Sequence, residues 1–127
     1  MKEETRRLLQ KAERALRAAE TLARSGDAEF SSGRAYYAML YTAQALLREM
    51  DLRYRKHSSI HAAFGKHFAK PELMDRKFHR WLLDAFDERL RGDYDTEVDI
   101  EPESAALWIE RAREFILAAR RYLEEQG

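Results

Sequence analysis

The chain has 127 residues, a formal net charge of zero and no cysteine, and 36% of its residues are charged. This length predicts one domain over residues 1–127 that can bury roughly two-thirds of the surface of its unfolded chain. Without cysteine there is no disulfide framework, thiolate nucleophile or thiolate metal site. Charges interrupt every apolar run well before the roughly 20 residues of a bilayer span, and Met1-Lys-Glu-Glu lacks a signal-peptide pattern. We therefore expect a cytoplasmic protein without a membrane segment.

Charge is distributed unevenly along this neutral chain. Lysine and arginine outnumber acids by 8 to 6 in residues 1–47 and by 11 to 7 in residues 48–91, whereas residues 92–127 hold 4 bases and 10 acids. The middle segment also contains all four histidines. This asymmetry is compatible with a local site for anions or RNA, and also with solvated helix faces whose charges pair with each other.

Helical periodicity begins near the N-terminus. Apolar residues recur at helical spacing from Leu8 to Ala23, which predicts helix 1 over about residues 3–25. Gly26 suits the position after a helix and Asp27 can cap the next one. Helix 2 is therefore predicted over about residues 28–51, antiparallel to helix 1 because the connection is short.

Helix 2 carries two neighbouring apolar stripes. The first contains Tyr36, Met39, Ala43, Leu46 and Met50, and the second contains Tyr37, Leu40, Tyr41, Ala45 and Leu47. A helix that is apolar over most of its circumference is buried among other helices. We therefore expect helix 2 to be the central and most buried element.

The remaining chain predicts a short helix and two long ones. Residues 51–57 lack a clean period and are interpreted as a loop, after which Ser58 or Ser59 can cap a short helix 3. Pro71 suits the first turn of helix 4. The acidic residues 92–102 are predicted to be the longest loop, and Pro102 begins helix 5. The predicted fold is all-α, an up-and-down four-helix bundle with one short additional helix.

Three segments of the chain, in this order, resemble one known family. They are Arg34-Ala-Tyr-Tyr-Ala-Met, then His57-Ser-Ser-Ile with Phe64-Gly-Lys after it, then Arg89-Leu-Arg-Gly-Asp-Tyr-Asp. They resemble the archaeal and bacterial branch of the HEPN family, and the resemblance runs from about Asp27 to Tyr122. It implies a small all-helical protein, often encoded beside a minimal nucleotidyltransferase. The resemblance also gives weight to His57, because a Lys-His-Ser-like segment recurs there in this branch.

Active members of the wider HEPN superfamily resemble one another in an Arg-x(4–6)-His motif associated with metal-independent RNA cleavage. There the arginine would hold the scissile phosphate and the histidine would move a proton. No histidine follows Arg89 or Arg91 at this spacing. Arg55 and His61 have the spacing but precede helix 4, so we interpret that match as coincidence. Ribonuclease activity therefore stays an open question, and no catalytic residue is assigned.

Arg89, Asp93 and Tyr94 are one group of candidate site residues. If helix 4 reaches Asp93, Arg89 and Asp93 can pair across one helical turn, while Gly92 lets the backbone turn and present Tyr94. The guanidinium of Arg89 can bind phosphate through two parallel hydrogen bonds. Alternatively, the trio is a clamp that anchors the acidic loop to the end of the helix.

Arg34 lies among aromatic residues on helix 2. Burying this charge without a partner is costly, so it should meet a carboxylate, face a dimer cleft or lie at the rim of the core. If the protein binds a phosphate-bearing ligand, we expect the site where Arg89, Arg91 and Tyr94 approach Arg34, because converging arginines focus positive potential.

His57 and His61 are spaced to share a helical face. Two such histidines can hold a metal, but a zinc site needs further ligands and the HExxH arrangement is missing. We interpret His57 as a hydrogen-bond donor in the loop and His61 as a surface or partly buried residue. We expect neither a metal nor a cofactor.

Two functions from different classes follow from these observations. The first is a HEPN protein that binds nucleotide or RNA and acts with a nucleotidyltransferase partner, as in a toxin–antitoxin pair. The second is a catalytically silent helical module that forms a homodimer or docks a partner. In either case the 14 aromatic residues predict more hydrophobic surface than a small bundle hides, so we expect a homodimer.

Overall fold

The computed structural model describes residues 1–95, 97 and 99–127, so the parts of our loop prediction that fall on Thr96 and Val98 lie outside the described residues. The elements are α1 Glu3–Arg24, α2 Ala28–Glu49, α3 His57–Phe64, a π-helical segment Gly65–Ala69, α4 Lys77–Tyr94 and α5 Pro102–Gln126. The described residues contain no strand. The all-α prediction of four long helices and one short helix is therefore confirmed.

α2 is the central helix of the fold. Of its 22 residues, 12 are buried, and it packs against α1, α3, α4 and α5. Tyr36, Met39 and Leu46 are completely buried, as expected from the double apolar stripe. The prediction that helix 2 is the most buried element is confirmed.

The turn between α1 and α2 follows from its local sequence. Gly26 adopts a left-handed φ of +85°, which residues with a Cβ rarely adopt. The Asp27 carboxylate accepts a hydrogen bond from the Phe30 N–H at 3.3 Å and caps α2. The buried Ser31 hydroxyl donates to the Ala19 carbonyl at 2.7 Å. These contacts fix α2 against α1 at the turn.

The start of α3 differs from the prediction. His57, expected in a loop, is the first residue of α3, and the N-cap is Lys56 without a side-chain hydrogen bond. Neither Ser58 nor Ser59 therefore caps the helix. The reason is tertiary, because His57 is held by a contact with α2 described below, and this contact outweighs the local capping preference of serine.

α4 is displaced toward the C-terminus relative to the prediction. Residues 70–76 form turns in which Glu72 has a φ of 58°, so Pro71 is not in the first turn of α4. The Lys77 N–H donates to the Asp75 carboxylate at 2.9 Å where the helix begins. Gly92 lies inside the helix, so it does not turn the backbone. The connections 50–56, 70–76 and 95–101 are equally long, and the acidic one is therefore not the longest.

Candidate functional site

The Tyr36 hydroxyl lies between two histidine rings of α3. Its oxygen is 3.0 Å from His57 Nδ1 and 2.8 Å from His61 Nε2. A phenol has one proton, so it donates to one imidazole and accepts from the N–H of the other. The two rings lie one helical turn apart, which brings both to the same side of α3. This hydroxyl therefore joins α2 to α3.

Burial keeps these three side chains uncharged near neutral pH. Tyr36 is completely buried and His61 is only 5% exposed, so our expectation of a surface or partly buried His61 is wrong. Burial lowers the pKa of His61 to about 4 and raises the pKa of the Tyr36 phenol. Burial, followed by the nearby Arg89 guanidinium, lowers the pKa of His57. Each shift favours the neutral form, because charge is poorly solvated in the interior.

Two arginines from different helices approach a single tyrosine ring. The guanidinium carbon of Arg34 lies 4.4 Å from the centroid of the Tyr37 ring, and that of Arg89 lies 5.0 Å from the same centroid. Arg89 also lies 5.9 Å from the centroid of Tyr36. Contacts of this kind contribute about 0.5–2 kcal/mol each. They hold both cations close together.

A small cleft of about 150 Å³ opens beside these arginines, between the start of α2 and the end of α4. Its charged lining residues are Glu29, Arg34, Glu88, Arg89 and Asp93. Arg89 pairs with Asp93 at 3.3 Å, whereas no carboxylate among the described residues forms an ion pair with Arg34. Burial raises the pKa of Glu88. The cleft therefore contains two cations together with acids, and these acids would compete with a bound anion for the cations.

The structure brings together some of the predicted site residues and separates others. Arg34, Arg89 and Asp93 line the cleft, and His57 is connected to it through Tyr36 and the field of Arg89. Arg91 is exposed and Tyr94 is 83% exposed. Neither residue lines the cleft, so the arginine cluster is smaller than expected.

The sequence analysis did not identify three residues of this site. Tyr36 was placed in an apolar stripe and in the first HEPN-like segment, but its hydroxyl, which makes two hydrogen bonds, was given no role. Glu29 and Glu88 line the cleft from two helices, and no local pattern distinguishes them from other surface acids. Their roles depend on which helices pack together, and residue spacing within one helix does not carry that information.

Comparison with known proteins identifies the family of this chain. Residues 5–125 match the family described as HEPN domain. The chain belongs to the HEPN family. A Methanocaldococcus jannaschii protein named "Putative toxin MJ0142" is 32% identical over 122 residues, which cover 96% of this chain and 83% of the relative. A Gloeobacter violaceus protein named "UPF0332 protein glr0978" is 32% identical over 98% of this chain and 100% of its own length. A Thermotoga maritima "UPF0332 protein" is 34% identical over 72% of this chain and 70% of its own length.

The three segments that resemble the HEPN family meet at one place in this HEPN protein. Arg34, His57 and Arg89 come from α2, α3 and α4, and all three lie against the Tyr36–Tyr37 pair. Among the described residues no group of three or more acids or histidines is arranged to hold a metal. None of the helices there has the length and hydropathy of a bilayer span.

Proposed function

We propose that this HEPN protein is the toxin-like member of a two-component pair and that its cleft binds a phosphate group of a nucleotide or RNA. The observation that carries the proposal is the convergence of Arg34 and Arg89 on the Tyr37 ring. The name "Putative toxin MJ0142" of one relative supports the first part. The family resemblance further suggests a minimal nucleotidyltransferase as the partner.

The chemistry of the cleft favours a phosphate that is shared between the two arginines. A guanidinium presents several N–H donors in one plane, which suits phosphate oxygens. Arg34 forms no ion pair among the described residues, and Arg89 has to exchange part of its contact with Asp93. Because Glu29, Glu88 and Asp93 also line the cleft, binding should be weak and sensitive to salt.

We expect binding without rapid RNA cleavage. No histidine follows Arg89 at the spacing of the superfamily motif. His57 is neutral near physiological pH and lies in the field of Arg89, but its Nδ1 is engaged by the Tyr36 hydroxyl. This contact orients the ring through Nδ1 only, so the expectation of slow cleavage rests on the missing motif histidine and not on the engagement of His57.

A titration with AMP and with a short single-stranded oligoribonucleotide, at two salt concentrations, tests the proposal. Arg89→Ala should weaken binding by about 1.5–3 kcal/mol, or roughly 10- to 150-fold, because a charge-assisted hydrogen bond is lost. Asp93→Asn should strengthen binding, because it frees Arg89. Arg121→Ala is the matched control, since Arg121 is an exposed residue of α5 that does not line the cleft and its loss changes the net charge equally.

Two results would contradict the phosphate site. Arg89→Ala could bind as tightly as the wild type, or Arg121→Ala could weaken binding as much as Arg89→Ala does. In the first case the Arg89–Asp93 pair is a structural clamp at the end of α4, and in the second case binding reflects overall charge and not this cleft. The silent docking module would then be the better description of this protein.

A further inference from the structure

Two buried oxygen atoms in the cleft have no hydrogen-bond partner within the described part of the chain. They are Oγ of Ser32 and Oε2 of Glu88, and both residues line the cleft beside the two arginines. Among the described residues only one other side-chain atom is buried in this way, Nε of Arg48, whose guanidinium already donates to Glu4. Native proteins rarely leave buried polar atoms unpaired, because such atoms lose their hydrogen bonds to water. The cleft therefore has unused hydrogen-bonding capacity next to the proposed phosphate site.

These two residues are more buried than the other acids of the cleft. Ser32 is only 5% exposed and Glu88 is partly buried, whereas Glu29 and Asp93 are exposed. Asp93 is in addition paired with Arg89. Glu88 is therefore the acid that a ligand meets only after it has entered the cleft.

Glu88 can accept a hydrogen bond in either protonation state. Burial raises the pKa of its carboxyl group, and Trp108, Arg91 and Ser32 oppose this rise in part. Ser32 is thus a close neighbour of Glu88, although the two side chains form no well-aligned hydrogen bond. A carboxylate and a carboxylic acid both have an oxygen that accepts, and a serine hydroxyl can donate as well as accept. Together the two side chains suit a ligand hydroxyl group, which donates one hydrogen bond and accepts another.

The hydroxyl group nearest to a phosphate in a nucleic acid is the 2′-hydroxyl of ribose. It is carried by the carbon next to the one that bears the 3′-phosphate, so a cleft of about 150 Å³ can receive both groups together. DNA has only hydrogen at this position. The 2′-hydroxyl both donates and accepts hydrogen bonds, and it is the group by which a protein distinguishes RNA from DNA at a given site.

We propose that Glu88 and Ser32 bind the 2′-hydroxyl of the ribose whose 3′-phosphate is held by Arg34 and Arg89, so that the cleft selects RNA over DNA. This inference rests on the proposed phosphate site and adds the identity of the sugar. The ribose hydroxyl donates to Oε2 of Glu88, and the Ser32 hydroxyl donates to the ribose oxygen. Deoxyribose would instead cover both protein oxygens with C–H groups. A site built to bind a hydroxyl group rejects an analogue that leaves its buried polar atoms unpaired.

Other hydrogen-bond donors fit the cleft less well. An amino group of a nucleobase is separated from the 3′-phosphate by the sugar, so a cleft of this volume would not hold both groups. A lysine or arginine of a partner protein would lie beside the guanidinium groups of Arg34 and Arg89, which repel it. The ribose hydroxyl is uncharged and close to the phosphate, so neither objection applies to it.

Binding of one adenosine oligonucleotide in three sugar forms tests the proposal on the wild-type protein. The single-stranded ribo form should bind roughly 10- to 100-fold more tightly than the 2′-deoxy form, which lacks the hydrogen bond to Glu88. The 2′-fluoro form resembles ribose in sugar conformation but has no proton to donate, so it should bind as weakly as the deoxy form. Fluorescence anisotropy with labelled oligonucleotides measures the three dissociation constants.

Substitutions in the cleft assign the selection to individual residues. Glu88→Ala should bring the ratio of ribo to deoxy affinity close to one, although its absolute affinities need not fall, because the variant also removes a negative charge beside the phosphate. Ser32→Ala should lower the ratio less. Glu29→Ala is the matched control, since it removes an exposed acid from the same cleft. It should tighten binding of both forms alike and leave the ratio unchanged. Circular dichroism checks that each variant is folded.

Three results would overturn the proposal. Equal binding of the ribo and deoxy forms would show that the cleft does not distinguish the sugars, and tight binding of the 2′-fluoro form would assign the preference to sugar conformation. A preference that persists in Glu88→Ala would leave the two oxygens as part of the packing of α2 against α4. In each case Arg89→Ala would still weaken binding if the phosphate site is correct. Absence of binding by all three forms would instead contradict the proposed function as well.

Discussion

The Tyr36 hydroxyl is the central hydrogen-bonding group of the buried site. It joins α2 to α3 through His57 and His61, and Phe86 covers the group with its ring centre 5.0 Å from that of His61. The imidazole that accepts the hydroxyl proton must be neutral, because a protonated ring can only donate, and two protonated rings would leave that proton without an acceptor. The stability of this site should therefore depend on pH.

We expect the free energy of unfolding to fall as the pH decreases from about 6.5 to about 4. The pKa of His61 is about 4 in the folded protein and near its ordinary value of about 6.5 in the unfolded chain. The unfolded state therefore binds more protons in this window, so acid favours unfolding. The stabilisation by neutral His61 is complete above about pH 6.5 and is lost as the pH falls to about 4.

Urea denaturation at several pH values measures this effect. We expect a loss of about 1–2 kcal/mol from His61, which allows for partial screening by solvent. His61→Gln removes the titrating ring and should flatten the pH dependence between these values, whatever its effect on absolute stability. An unchanged slope in this variant would show that other groups cause the acid sensitivity.

The π-helical segment Gly65–Ala69 follows α3 directly, and its first residue, Gly65, has no side chain. A Cβ on Gly65 would lie 2.7 Å from Cε1 and Nε2 of His79, which is closer than van der Waals contact permits. His79 Nε2 donates to the His61 carbonyl at 3.1 Å. The missing side chain at residue 65 is therefore what lets the His79 ring bind the backbone of α3.

Substituting alanine for Gly65 and for Gly33 should change the free energy of unfolding in opposite directions. Gly65→Ala should lower the free energy of unfolding by about 1–3 kcal/mol, because the His79 ring has to move and its hydrogen bond is strained. Gly33→Ala in α2 meets no atom within 4 Å and should raise it by about 0.5–1 kcal/mol through its effect on helix propensity. Chemical denaturation of both variants checks the pair, and two changes of the same sign would contradict this account of Gly65.

Across the whole molecule, burial decreases from α2 toward α4. In α2, 12 of 22 residues are buried, whereas in α4 only Phe78, Leu82 and Ala85 of 18 residues are buried. α5 packs mainly against α2 and α1, with few contacts to α4. The end of α4, which contributes Arg89 to the cleft, therefore contains no buried residue after Ala85.

Hydrogen exchange should follow this gradient. We expect amides in residues 35–47 to exchange by global unfolding, and amides in residues 89–95 to exchange through local opening that costs several kcal/mol less. Mass spectrometry of peptides from the two ranges measures the difference. Equal protection would mean that the end of α4 is held by contacts that its exposure does not reveal.

The sequence by itself determined the all-α class, the order of the helices, the central position of α2 and the Asp27 cap. These features rest on interactions between residues a few positions apart, so the spacing of apolar and capping residues encodes them. The i, i+4 spacing of Arg89 and Asp93 belongs to the same group. The family, too, could be recognised from three short segments.

Only the tertiary structure decided which of these residues meet. That Arg34 and Arg89 share the Tyr37 ring, and that Tyr36 bridges His57 and His61, depends on how α2, α3 and α4 are rotated against one another. The same contacts place the start of α3 at His57, earlier than the sequence predicted. The packing also leaves Arg91 and Tyr94 exposed. Contacts between helices are set by the packing of the whole core, so the periodicity of one helix predicts which face is buried but not what lies opposite to it.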